Sequence, residues 1–389
     1  MAPCNKSEVT TTVTLLNNKQ MNTDNLDLSE GINENNNVVQ KEQKPDEDWD
    51  DSHHPQLKFS FKQMFYDCFT LDWSKVLWDM VFSIVVFHIF TFIGIYFALT
   101  FQPRWPSWLF VPVLSYAGGL GITMGTHRLW THKAFKAVLP VRVILMLMNT
   151  LAFQESIFLW SQNHRVHHKW SDTDRDFTNS RRGFFFAHMG WKMYQTHPEV
   201  IKGRKMIDCS DLLRDPVVKF QHEYYYFIAL PVCFIIPTLV PYYFWNENIY
   251  VAFTTCACLR LAITLHSTWC INSVAHLYGY KPYDKAMHAF ENWVLGPFAL
   301  GEGWHNYHHA FPRDYRASEI DGWGHNFTTK MIELLSKYDL IYDLVTVEEE
   351  SIHTRTDRTG NTQLRNKANE GVLHSGKRAK NRFLKNICS

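Results

Sequence analysis

Apolar and polar positions along the chain are segregated into blocks. Four stretches, at about 80–99, 105–126, 224–245 and 249–271, are almost free of charge. His88 is the only ionisable group in the first and Arg260 the only charge in the fourth, while the second and third have none. Each is about 20 residues long, enough to cross a hydrocarbon layer roughly 30 Å thick. The pattern predicts an all-α integral membrane protein with four transmembrane helices. A charge such as Arg260 within a span is expensive in lipid, so it is expected to face the bundle interior.

Polar segments flank and separate the spans. Residues 1–57 are rich in Asn, Asp, Glu, Lys and Thr, with Trp49 their only aromatic, which predicts a disordered N-terminal tail. Residues 346–389 read as a similar polar C-terminal tail. The turn 246–248 has no Lys or Arg and contains Glu247, whereas 127–222 contains Arg128, Lys133, Lys136, Arg142, Arg165, Lys169, Arg181 and Arg182 among others. Basic residues favour the cytosolic side. The chain is therefore expected to form two helical hairpins with both termini cytosolic, despite Arg104 between the first two spans. A cytosolic helical cap is built from 127–222 and 272–345, giving a membrane domain over 58–345.

Composition narrows the function. The 39 Lys and Arg nearly balance 38 Asp and Glu, a net charge of +1 that gives no field for holding nucleic acid. The eight cysteines form no CxxC pair and are read as reduced thiols. A mean hydropathy of -0.24 on its own suggests a soluble protein, but the average conceals the four spans.

The chemistry lies in the histidines. They include His127-Arg-Leu-Trp-Thr-His132, His164-Arg-Val-His167-His168 and His305-Asn-Tyr-His308-His309. Positions i, i+3 and i+4 share a helix face, so each HxxHH group presents three imidazoles in one direction. His127 and His132 diverge on a straight α-helix, so a bend or helix end is expected between them. At about 1.5 Å per residue the fourth span reaches the cytosolic layer by Asn272 and His276. His276 becomes a ninth candidate ligand, and Asn272 can hold a metal-bound water beside it. For His188, His197, His222, His266, His288 and His325 an ordinary structural role is expected. Nine imidazoles suit two ions with four or five ligands each, and histidine-rich ligation beside a bilayer favours iron that activates oxygen. A carboxylate di-iron bundle needs two inward Glu-x-x-His pairs. Glu302–His305 fits that spacing, but Glu350–His353 falls in the polar tail.

These motifs resemble the three histidine boxes of the membrane acyl-CoA desaturases. The resemblance extends over about 60–340 through Asn179-Ser-Arg-Arg-Gly-Phe-Phe-Phe, Asn272-Ser-Val-Ala-His276, Lys281-Pro-Tyr-Asp-Lys285 and Gly301-Glu-Gly-Trp-His305, and it is closest to the insect branch. It implies a di-iron site held by His127, His132, His164, His167, His168, His276, His305, His308 and His309, with Asn272 acting through water. It further implies a fatty acyl-CoA substrate, O2 as co-substrate and electrons from cytochrome b5 and its NADH-dependent reductase. Location in the endoplasmic reticulum membrane, among membrane lipids, and Δ9 or Δ11 regioselectivity in a specialised lipid pathway follow from the same likeness. Gln154, Trp160, Thr268 and Trp269 are implied at the bend of an acyl tunnel, with Ser115 and Gly119 near its end.

The chain departs from many relatives at Gln162-Asn163 and Gln195-Thr196, where they carry charged pairs. Arg181, Arg182, Lys202, Arg204 and Lys205 are expected as substitute contacts for the CoA phosphates; a basic rim facing lipid headgroups is the alternative. No heme domain or glycine-rich dinucleotide fingerprint is evident, so a separate electron donor is expected. The competing readings are a di-iron hydroxylase, acetylenase or conjugase, and a non-enzymatic membrane metal-binding protein. A transporter is expected to place its ligands within the spans along a path, whereas these clusters lie at the cytosolic end.

Overall fold

A computed structural model describes residues 72–367. The N-terminal tail expected at 1–57 and the end of the C-terminal tail lie outside the described residues. Four long helices have the length and hydropathy to cross a membrane: α1 (Trp78–Leu99), α2 (Trp105–Thr131), α5 (Tyr225–Trp245) and α6 (Ile249–Leu277). Between them lie α3 (Leu139–Ala152) and α4 (Ile157–Lys169), bent by 80° at their junction. Among the shorter helices after α6 are α7 (His305–Ala310) and α8 (Glu349–Thr359). The named strands, Lys136–Ala137 and Ile341–Tyr342, form one short antiparallel pair.

Large apolar side chains on α1 point outward, including Phe82, Phe92 and Leu99 at 70, 65 and 75% exposure. Such a surface is stable against lipid and unstable in water. Helix α3 also exposes an apolar face through Leu139, Val143, Ile144 and Leu147, whereas α4 carries Arg165, Lys169 and three histidines. This pair suits the membrane surface better than a fifth crossing.

Polar groups inside the bundle have specific partners. Arg260 is fully buried, donating to the Leu151 carbonyl at the end of α3 and to the Cys233 carbonyl, both at 2.7 Å. Residue 237, four positions after Cys233, is proline and has no N–H to donate, and the guanidinium gives this carbonyl of α5 a donor. At the opposite end, Glu247 accepts from the Arg104 N–H at 2.7 Å and the Ser107 hydroxyl at 2.6 Å. Its charge sits at the N-terminus of α2 and ties the two short turns together.

The first part of the expected polar tail is folded. Helix α8 packs Ile352 against Tyr283 and Tyr307. Arg355 forms two hydrogen bonds with Asp284, at 3.2 and 2.6 Å, and buried Arg365 pairs with Glu319. A mostly polar helix gives little hydrophobic signal in sequence. Its order comes from these partners and from one apolar side chain.

Candidate metal centre

Helix α2 is α-helical to Leu120 and π-helical over Gly121–Thr131. In that winding the i→i+5 hydrogen bond stacks residues five apart, and the His132 N–H donates to the His127 carbonyl at 3.1 Å. The rings of His127 and His132 consequently lie 4.8 Å apart. The helix does end between them, at Thr131, but the π turn rather than a bend brings the imidazoles together.

The two HxxHH groups each divide. His127, His132, His164, His168 and His308 form one group, and His167, His276, His305 and His309 another, with nitrogens in each within 4.8 Å of one another. On α4 and on α7 the i and i+4 histidines serve one group while the i+3 histidine turns to the other. The expectation of one common direction is therefore corrected: the helices straddle two positions. Asn272, on the last turns of α6, lines the adjoining cavity.

Loop geometry sets the third box. Gly301 has φ of +111°, and a Cβ there would meet Asn326 Oδ1 at 2.2 Å. A Cβ at Gly303 would come within 2.2 Å of the Gly296 nitrogen. These positions admit only glycine. Buried Asn306 then fixes α7, accepting from the Tyr283 and Asp284 N–H groups and donating to the Asp284 and Ala289 carbonyls.

Carboxylates hold several imidazoles from behind. His276 Nδ1 lies 2.9 Å from Asp172 Oδ2 and His167 Nδ1 lies 2.8 Å from Asp176 Oδ2. Glu302 Oε2 comes 2.9 Å from His127 Nδ1, while its other oxygen accepts from Arg128 at 3.1 and 2.8 Å. Burial pushes the Glu302 carboxyl up, but Arg128 and His127 outweigh it and hold it at about 2. Burial pushes His132, His305, His308 and His309 well below the usual histidine range, which favours the neutral ring that can ligate a metal.

The arrangement fits metal. With Nδ1–H donated to Asp176 and Asp172, His167 and His276 turn Nε2 lone pairs toward the same small space. Nε2 atoms approach as close as 2.9 Å between His127 and His308 and 3.0 Å between His276 and His305. His132 Nε2, His305 Nδ1 and His308 Nδ1 are buried with no hydrogen-bond partner. Converging imidazole nitrogens in a buried site fit a cation. An all-imidazole donor set suits iron, zinc, copper or nickel.

A cavity of about 800 Å³, counting its open mouth, adjoins both groups. His127, His164, His305 and Asn272 line its metal-side wall, and Trp160, Thr268, Ser115 and Gly119 line the rest, as the resemblance implies. Leu300, Ile263 and Ser267 also face it and carried no signal in the sequence. Gln154 stands one layer back, donating to the Thr268 hydroxyl at 2.9 Å. Trp269 is buried in a separate apolar cluster with Cys233, Leu261 and Leu265, so it backs the wall without lining the cavity. Arg181 and Arg182 lie outside the lining: Arg181 reaches His288 at 3.1 Å, and Arg182 stacks on Phe186 at 3.6 Å. Asp172, Asp176 and Glu302 were missed as positioning groups, although acidic residues directly following the second box were a readable signal.

Apart from both groups, His88, His266 and His188 form a hydrogen-bonded chain ending at Ser273, with separations of 3.2, 2.9 and 3.0 Å. For His188 and His266 this matches the structural role expected.

A fatty acid desaturase profile matches residues 103–318. The chain is 43% identical over 294 residues to a Delta(9)-fatty-acid desaturase of Caenorhabditis elegans, covering 76% of this chain and 86% of the relative. It is 45% identical over 286 residues to an acyl-CoA Delta-9 desaturase of Acheta domesticus, covering 74% and 79%. An acyl-CoA desaturase of Ovis aries is 46% identical over 270 residues, covering 69% and 75%. The fold and site define a multi-pass membrane oxidoreductase with histidine clusters able to bind metal. The chain belongs to the fatty acid desaturase family.

Proposed function

We propose that the chain is an acyl-CoA desaturase that places a Δ9 double bond in a saturated fatty acyl-CoA. The observation that carries this reading is the pair of buried imidazole groups, five and four strong, opening on one wall of an apolar cavity. An acyl methylene has no acidic proton for a side-chain base to take, so the chemistry has to come from a bound oxidant. Two irons held by the nine histidines, with Asn272 through water, would supply oxidation of the C–H bonds by O2. Δ9 follows the named relatives in Caenorhabditis elegans and Acheta domesticus; a Delta12 relative at 44% identity in the latter leaves position to tunnel shape.

The protein's own residues position and insulate. Trp160 and Thr268 hold the chain beside the histidines, and Gln154 fixes the Thr268 hydroxyl from behind. Ser115, Gly119 and Leu300 bound the cavity away from the metal side, setting how far the chain can enter. Asp172 and Asp176 orient His276 and His167. The reading places the cap and both termini in the cytosol at the endoplasmic reticulum, where cytochrome b5 and its reductase deliver electrons. Membranes containing the chain should form unsaturated acyl-CoA only when cytochrome b5, reductase, NADH and oxygen are all supplied. Product formed without the heme protein would overturn the electron route, and a hydroxylated product would overturn the reaction type.

A further inference from the structure

The backing of the two histidine groups is unequal. In the four-imidazole group, two of the four ligand candidates donate a well-formed Nδ1–H bond to a buried carboxylate: His276 to Asp172 and His167 to Asp176. Asp172 Oδ1 accepts from the Ser180 N–H, and Asp176 accepts from the Asp172 and Thr178 N–H groups and the Thr178 hydroxyl. Both aspartates are under 4% exposed.

Among the described residues, the five-imidazole group has only Glu302 near one ring. That carboxylate is committed to Arg128 through two N–H groups on Oε1, and its Oε2 is close to His127 without hydrogen-bond alignment. A carboxylate behind an imidazole fixes its tautomer and makes it a stronger donor, whereas an arginine on the carboxylate withdraws that effect.

Resting on the di-iron reading above, we propose that Asp172 and Asp176 are positioning residues dedicated to one metal. They tune the ion held by His167, His276, His305 and His309 and leave the ion of the five-imidazole group untouched, so the two irons are electronically inequivalent. The aspartates share one short segment: the Asp172 N–H donates to Asp176 Oδ2, so the two ligand supports are set together. Asp172 holds φ of +58°, a conformation asparagine also tolerates. Asp172→Asn therefore keeps the backbone, the shape and an acceptor oxygen while removing the charge.

The test uses the full-length chain purified in detergent after growth on ⁵⁷Fe. Iron is counted per chain, and Mössbauer spectra are taken before and during competition with a chelator. The wild type should hold about two irons giving two distinct quadrupole doublets. In Asp172→Asn and in Asp176→Asn only one doublet should move, and the iron it reports should be lost to chelator at roughly 10–100-fold lower concentration, the size typical of outer-shell substitutions. Asp176→Glu should restore much of the wild-type spectrum. The retained second iron shows that each variant has folded. A single doublet in the wild type, or two signals that respond equally or not at all, would overturn the proposal. A chain that passes this test but forms no unsaturated product would instead overturn the desaturase reading.

Discussion

At the scale of single residues, Gly119 and Leu300 meet across the cavity. A Cβ at Gly119 would lie 2.7 Å from Leu300 Cδ1, and Leu300 itself sits at φ +59° in the loop leading to the third box. The Leu300 side chain can rotate aside, but both residues line the cavity, so Gly119→Leu adds bulk there and should shorten the accepted acyl chain, read as the chain-length distribution of products. Leu300→Ala in the same background should restore longer products. An unchanged distribution in the folded Gly119→Leu enzyme would remove this contact from the tunnel end. Glu291 gives a pH signature. Burial raises its carboxyl to about 8, and its oxygen accepts the Tyr307 N–H at 2.7 Å. A raised folded-state value means the native chain binds the proton more tightly than the unfolded chain. Stability from this group is therefore present below the ordinary glutamate range and declines as pH rises through about 8. Glu291→Gln keeps the acceptor and should flatten the fall in melting temperature between mildly acidic pH and pH 8; an equal fall in both proteins would contradict it.

At the scale of elements, the sequence was most legible where one strong period or composition ruled. Four helices long and apolar enough to span appear at the expected places, the second and fourth running on to Thr131 and Leu277, because apolar runs of that length have few alternatives. The π-helical turn at His127–His132 was not legible: winding is decided by packing, here Gly121 against α3, where a Cβ would meet the Asn149 nitrogen at 2.2 Å. Helix α8 was illegible for a different reason, since its order depends on distant partners. Arg365→Ala should leave half-buried Glu319 with the Tyr283 hydroxyl but without its arginine and lower stability by about 1–3 kcal/mol. Thermal unfolding in detergent measures this. A larger effect on iron retention than on unfolding would place α8 among the supports of the third box, to which it connects through Tyr283 and Tyr307.

At the scale of the molecule, the histidine spacing indicated a two-ion centre, and the geometry shows how the nine rings divide between two positions. The division was hidden because it depends on how α4 and α7 face each other, which no single segment encodes. The cavity wall was partly legible: Trp160, Thr268, Ser115 and Gly119 face it, whereas Trp269 packs behind because α6 turns that side chain toward α5. Orientation in the membrane is open to direct test: a glycosylation acceptor extended from the 246–248 turn should be modified in the lumen, while cytosolic tags on both termini remain accessible. Modification of a terminal tag would reverse the orientation.

The most direct test of the central claim is the acyl composition of a desaturase-deficient yeast expressing this chain, with double-bond positions located by mass spectrometry. Δ9-monounsaturated chains should appear with the wild-type chain and be absent with His167→Ala or His308→Ala present at equal levels in the membrane. Saturated lipids alone from a folded, iron-loaded wild-type chain, or unchanged unsaturation from either histidine variant, would contradict the account.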